Sequence, residues 1–440
     1  MMIRRSLLAV LLSAAASSAA LAQAKTEITL ARFFGACDAD YATNTDLAKA
    51  RGECGMITSL VNLFNQTNKD GIVVKPQIIE WGPYYQQLTA RIAARDVPNI
   101  AVMHTAQIGD FVRLLDPLDD AFKAAGIDVD DFTPNARTGV TVGGKIYALP
   151  WDTHSWLWHM NVGLFKKAGL VDGSGQPTVP KTVDELLAQA AKMKEATGKP
   201  YFTMGTLASG DVGNGGRSFY TLLYTQGGSL FPSGNFDKPD FNTPEAKKAF
   251  EFFETVAKNG YITKGLDGAA ALGGFLNGDA AVMLTGTWRI DDFLAARAKA
   301  DSPLKEGYTP RIFPNLFKEE AVWSDNHSWV LMRAGNTDAT RKAAMTFLKF
   351  MWDNNPNWAR GGGHLPIRKS AMDDYAKLPE RANVIRIAEI GRALPKEVRR
   401  QFGFQALIGE EINNIINGGK SAAKAASDAQ ERAEQLLRNR

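Results

Sequence analysis

Residues 144–161, GKIYALPWDTHSWLWHMN, collect three tryptophans, two histidines and one aspartate in a stretch that alternates like a β-strand. Rings and hydrogen-bonding heads at that density either fill a core or form a platform for something polar and flat. Alternate residues of a strand share a face, so Asp152, His154 and Trp156 should point one way, and Trp151, Thr153 and Ser155 the other. The chain has only five histidines, of which His104, His327 and His364 lie outside this stretch. His104 follows a short apolar run that reads as a strand, at the sheet edge where open α/β folds bind ligands.

The spacing of these groups excludes some chemistries. His154 and His159 are five apart, with no HExxH pattern and no carboxylate triad, so no metal site is expected. Residues 139–145 (GVTVGGK) match the spacing of a phosphate-binding loop. Ile146, however, stands where such a loop needs Ser or Thr for magnesium, and the match reads as a β-turn. There is no GxSxG nucleophile elbow.

Residues 1–22 have the form of a cleavable signal peptide: Arg4-Arg5, an apolar run over 7–12, and small residues ending in Ala20-Leu21-Ala22. Cleavage after Ala24 is the second choice. No cysteine directly follows either point, so a lipid anchor is not expected. No later segment supplies the roughly 20 uncharged apolar residues of a membrane helix, and the mature chain is expected to be soluble and exported. Removal of the signal takes Arg4 and Arg5 and leaves 49 basic against 47 acidic residues. That balance gives no electrostatic reason to expect nucleic acid or an acidic membrane as partner. The two cysteines, Cys37 and Cys54, are expected to pair in an oxidising compartment, a constraint worth roughly 3 kcal/mol in the chain-entropy model.

The elements that must position the site are mixed α/β. About 415 mature residues exceed what one core usually organises, so two domains are expected. Strands are read at 27–34, 72–79 and 100–103, alternating with helices at 54–65 and 84–95, which implies a parallel sheet flanked by helices. Amphipathic helices follow at 182–197, 244–259, 338–354 and 420–438. Residues 171–177 and 209–216 read as surface loops.

Five blocks in order carry a resemblance: 84–103 (YYQQLTARIAARDVPNIAVM), 144–169, Gln226-Gly227-Gly228 followed by Leu230-Phe231, 275–288 (FLNGDAAVMLTGTW) and 362–370 (GGHLPIRKS). Together they resemble the family 1 extracellular solute-binding proteins of carbohydrate ABC importers, the group that includes maltose-binding protein. Asn99 after Pro98, where that family usually has aspartate, and the stretch between Cys37 and Cys54 depart from the pattern. The resemblance implies a two-lobed periplasmic-binding-protein fold of type II, each lobe a mixed sheet flanked by helices and joined by hinge strands. By analogy the first lobe takes 25–145 and 332–358, and the second takes 146–331 and 359–440. It further implies binding without catalysis or cofactor, a monomer, and the membrane subunits of a transporter as partner.

Sugar physics suits the residue types. A pyranose presents an apolar face that an aromatic ring covers, and its hydroxyls need donors and acceptors once water leaves. The substrate-binding set implied is His104, Gln107, Trp151, Asp152, His154, Arg217, Trp288, His327 and His364. Trp288 is the stacking platform, because the family places an aromatic there, and Arg217 suits a hydroxyl pair or an anionic substituent. Two alternatives stand beside this reading. A secreted carbohydrate-active hydrolase needs two facing carboxylates, with Asp152 as one and Glu80 or Asp38 as the other. A polyamine site would need several acids in the cleft, where Asp152 is the only strong one.

Overall fold

β1 (Thr26–Arg32) pairs in parallel with β2 (Ile72–Ile78) and with β3 (Ile100–His104), and helices Gly52–Thr67 and Tyr84–Ala93 make the crossovers. Every residue of β3 is buried, which suits a run of apolar residues in a strand covered on both faces. The computed structural model describes residues 25–207 and 213–438, so the signal-peptide reading of 1–22 lies outside the described residues. No helix among them is long and apolar enough to cross a membrane.

β4 (Thr141–Val142) and β5 (Lys145–Ile146) form a hairpin whose two turn residues, Gly143 and Gly144, both have positive φ. Glycine adopts that conformation without steric cost, and a two-residue turn of type I′ needs it at both positions. The sequence that mimicked a phosphate loop is thus a turn. β6 (Ala148–Pro150) follows, and after three residues the chain enters β7 (His154–Asn161), the fully buried centre of a second sheet. That sheet adds β8 (Phe202–Thr203), β9 (Val282–Gly286), β10 (Tyr308–Ile312) and β11 (Val322–Asp325). The chain then returns through β12 (His327–Leu331) to the first sheet, and β13 (Gly391–Arg392) closes the edge of the second. The strand orders are β2-β1-β3-β12-β6 and β13-β11-β7-β9-β8, with β10 also paired to β7.

Each sheet has its own core. The first gathers Ile28, Leu30, Trp329 and Phe347, and the second gathers Trp158, Phe219, Phe250 and Ile408. Two sheets with two cores are the two lobes. The chain changes lobe at 151–153 and again at Asn326, whose side-chain amide donates to the Asp152 carbonyl (2.9 Å) and to Thr153 Oγ1 (2.7 Å). A third passage runs alongside, where Leu365 bridges Thr153. These crossings differ from the boundaries expected at 145/146 and 331/332, because β6 and β12 extend the first sheet by pairing with one another.

Helices begin where their caps are. Thr182 caps Val183–Thr197, Thr243 with Pro244 caps Pro244–Lys258, and Thr337 forms a capping box with Thr340 at the start of Asp338–Asp353. The glycines of 213–216, read as loop, instead open helix Gly213–Thr225. A Cβ on Gly216 would lie 2.6 Å from the Gln405 carbonyl oxygen, so these glycines let helix Gln401–Ile416 pack backbone to backbone.

Candidate functional site

Asp152 is fully buried in the first crossing, and its two oxygens accept from four protein donors. Oδ1 takes His154 Nδ1 (3.2 Å) and the His327 backbone N–H (3.3 Å); Oδ2 takes His327 Nδ1 (2.9 Å) and Trp358 Nε1 (2.9 Å). His364 Nε2 stands 4.0 Å from Oδ2 and bonds Glu53 Oε1 at 3.0 Å, while its Nδ1 meets Thr287 Oγ1 at 3.0 Å. His104 completes the group, with its ring 4.5 Å from that of His327 and 5.3 Å from that of His154. Four of the five histidines therefore converge on one carboxylate at the junction of the lobes. With four donors already on its oxygens, Asp152 acts as an organiser of imidazoles.

Trp288 lies half-buried in the turn Thr287–Arg289 after β9, its ring 6.1 Å from His154 and 6.2 Å from Trp156. The Arg217 guanidinium, on helix Gly213–Thr225, stacks over Trp323 (5.2 Å), Trp288 (5.5 Å) and Trp156 (5.7 Å), and bonds Asn214 Oδ1 at 3.0 Å. Gln107 is buried in helix Thr105–Phe111, directly after His104. Trp151 is not brought to this group. It sits in the core of the first lobe against Trp329 (5.9 Å) and Trp358 (5.3 Å), because its neighbour β6 belongs to that sheet. Cys37 and Cys54 form a disulfide, and Cys54 lies next to Glu53 in the first turn of helix Gly52–Thr67.

Charge follows from this packing. Burial tends to raise the Asp152 pKa, but His327, His364 and the hydrogen bonds from His154 and His327 hold it well below the ordinary carboxylate range. Burial together with the neighbouring histidines lowers His104 well below its usual value and takes His154 down to about 4. His364 goes the other way: burial opposes its charge, yet Asp152 and Glu53 raise its pKa.

His159 stays apart, bonded to Tyr308 Oη (2.7 Å) and the Gly286 carbonyl (3.1 Å), and burial lowers its pKa to about 3. Since the unfolded chain takes up this proton near pH 6.5, the stabilisation is complete above that pH and is lost as pH falls from 6.5 towards 3. It amounts to on the order of 5 kcal/mol. His159→Gln, which keeps a donor to Gly286, is expected to flatten the acid limb of the stability curve by about one proton in urea unfolding between pH 7.5 and 4.5.

Gly286 has φ of −98°, which any residue adopts, so its role is one of space. A Cβ there would lie 2.0 Å from Trp288 Cζ3. Gly286→Ala is therefore expected to displace the Trp288 ring without straining the backbone, and to shift the intrinsic tryptophan emission of the folded protein. An unchanged spectrum would show that the ring is not held over Gly286.

Several contributors escaped the sequence reading. Trp81, Tyr85 and Phe33 surround His104, with Trp81 at 4.7 Å and Phe33 stacked at 5.2 Å, and Phe402 reaches it from the second lobe at 5.1 Å. The second acid near Asp152 is Glu53, whereas Glu80 and Asp38 are exposed. Asp110 of the first lobe accepts from the Arg400 backbone N–H at 3.2 Å, at the start of helix Gln401–Ile416, so the lobes touch there as well. A cavity of about 400 Å³ lies between them, lined by Thr105, Asn135 and Gly139 on one side and Tyr224, Ser324 and Lys396 on the other.

A family model for bacterial extracellular solute-binding proteins matches residues 46–354, and the chain belongs to that family. The family is one of binding proteins, so the chain binds a solute and is not an enzyme. A relative is the sn-glycerol-3-phosphate-binding periplasmic protein UgpB of Escherichia coli K12, 27% identical over 423 residues, covering 88% of this chain and 90% of UgpB. Among solved structures, an ABC transporter solute-binding protein from Thermotoga lettingae bound with α-D-tagatose has a TM-score of 0.75 at 20% identity, covering 94% of this chain and 100% of that one. The sugar-binding protein MalE of Xanthomonas citri gives 0.72 at 19% identity, covering 94% and 98%. These two likenesses establish the fold, two α/β lobes of the periplasmic-binding type.

Proposed function

We propose that this protein captures a carbohydrate or carbohydrate derivative in the periplasm and delivers it to the membrane subunits of an ABC importer, closing its lobes around the ligand. The observation that carries the reading is the convergence of rings and hydrogen-bonding heads from both lobes beside the chain crossings: Trp81, His104 and Glu53 from the first, Trp288, Arg217 and Phe402 from the second. Aromatic planes cover the apolar face of a sugar, and planar heads bind its hydroxyls. Arg217 and Lys396 add cationic groups suited to a hydroxyl or an anionic oxygen, and the E. coli relative binds sn-glycerol-3-phosphate.

In this reading the chain works as a monomer and is exported by the leader at 1–22. Ligand shifts the open-to-closed equilibrium only by its preference for the closed form. Affinity is expected at micromolar or tighter, on the order of 8 kcal/mol. A thermal-shift screen of neutral and acidic sugars, sugar phosphates, polyols and polyamines tests it, because a native-state ligand raises stability by mass action. A sugar or sugar derivative should raise the melting temperature; a response confined to polyamines would overturn the proposal.

A further inference from the structure

We infer that His104, His154 and His327 form a binding site for one divalent transition-metal ion of the zinc class. One ring nitrogen of each of the three lies within 4.8 Å of one ring nitrogen of each of the other two. All three residues are buried, and their rings meet at 4.3, 4.5 and 5.3 Å between centroids. Three imidazoles around one point, with a fourth position left to a water or a solute oxygen, are a donor set that zinc, cobalt(II) or copper(II) accepts and that calcium or magnesium does not favour.

The surroundings of the trio make the case stronger than proximity alone. A metal-bound histidine usually donates its second ring N–H to a carboxylate or another oxygen, which fixes ring orientation and tautomer. Here Asp152 serves two of the three rings at once, through Oδ1 to His154 Nδ1 (3.2 Å) and through Oδ2 to His327 Nδ1 (2.9 Å). His104 Nδ1 stands 3.0 Å from the Tyr85 hydroxyl oxygen, which also accepts the His104 backbone N–H at 2.8 Å. Each Nδ1 thus has an oxygen partner, and Nε2 is the nitrogen left to each ring for an ion. Asp152, joined by Asp325 beside Thr105, offsets the charge of a dication against that of Arg217. Sequence spacing concealed the set because its members come from β3, β7 and β12, strands of two different sheets.

A second grouping, Glu53, His327 and His364, shares His327. In it His364 uses both ring nitrogens on protein oxygens, Glu53 Oε1 and Thr287 Oγ1, so the first trio is the better donor set.

The test uses the mature protein, stripped with a chelator and then titrated with cobalt(II) and no sugar present. One equivalent is expected to bind with the strong visible absorption of four- or five-coordinate cobalt, and zinc should displace it. His104→Ala should abolish that absorption. Tyr85→Phe, which keeps the ring and removes only the oxygen behind His104, should weaken binding by roughly tenfold or more. His364→Gln should retain it. Circular dichroism of each metal-free variant confirms that it folds. Weak, octahedral-type absorption, more than one equivalent of loose binding, or an unchanged spectrum in His104→Ala would overturn the inference. Solute binding measured with chelator present is a separate readout, so failure here and failure of the solute-binding proposal are told apart.

Discussion

Replacing Asp152 with alanine is expected to lower the free energy of unfolding by about 3–5 kcal/mol, the range found when one partner of a buried charged network is removed. The side chain is fully buried and takes four donors, from His154, His327 twice, and Trp358. Alanine leaves those donors without an acceptor in a space that water does not freely enter, and each orphaned buried donor is costly. Asp152→Asn should fall between alanine and the parent, since its carbonyl still accepts while its amide N–H2 faces other donors. Urea unfolding at pH 7.5 measures the effect. A loss under about 1 kcal/mol would mean that the imidazoles find water or one another instead, and that the carboxylate does not organise them.

Trp288→Ala is expected to weaken solute binding at least tenfold, about 1.4 kcal/mol or more, with the melting temperature of the empty protein almost unchanged. The separation of the two effects follows from where the ring sits. Trp288 is half-buried at the margin of the second core, next to His154, Trp156 and Arg217, and is not among the residues that fill that core. Removing it takes away a stacking plane for the ligand and little of what folds the lobe. Titration calorimetry on the parent and the variant, with a thermal melt of each without ligand, gives both numbers. Equal losses of affinity and stability would assign Trp288 to the core instead.

The first sheet was open to sequence reading because its strands and helices alternate within a short span and each strand is flanked by turn residues. The expected strands at 27–34, 72–79 and 100–103 lie within two residues of β1, β2 and β3. Helix Gln401–Ile416 was not seen. It is wedged among helices Gly213–Thr225, Pro244–Lys258 and Ala422–Arg438 and buries most of its residues, so no single apolar stripe marks it. Phe402 was lost with it.

At the site, period-two alternation put Asp152, His154 and Trp156 on one side, and their contacts keep them there even though residues 151–153 leave the strand. Trp151 was misplaced because nothing local shows that a strand ends at Pro150 and hands its neighbour to another lobe's core. Glu53 was passed over because it belongs to the stretch around the cysteines, where the family pattern breaks. Its meeting with His364, from the far end of the chain, is a product of tertiary packing.

Small-angle scattering of the purified protein, empty and then saturated with the solute that raised its melting temperature, tests directly whether two lobes close on a guest. The radius of gyration should fall on saturation, and the saturated curve should match that calculated from the structure described, in which Phe402 and Trp81 meet across the junction. A tightly bound solute that leaves the empty and saturated curves superimposable would contradict closure and, with it, the proposed mode of delivery.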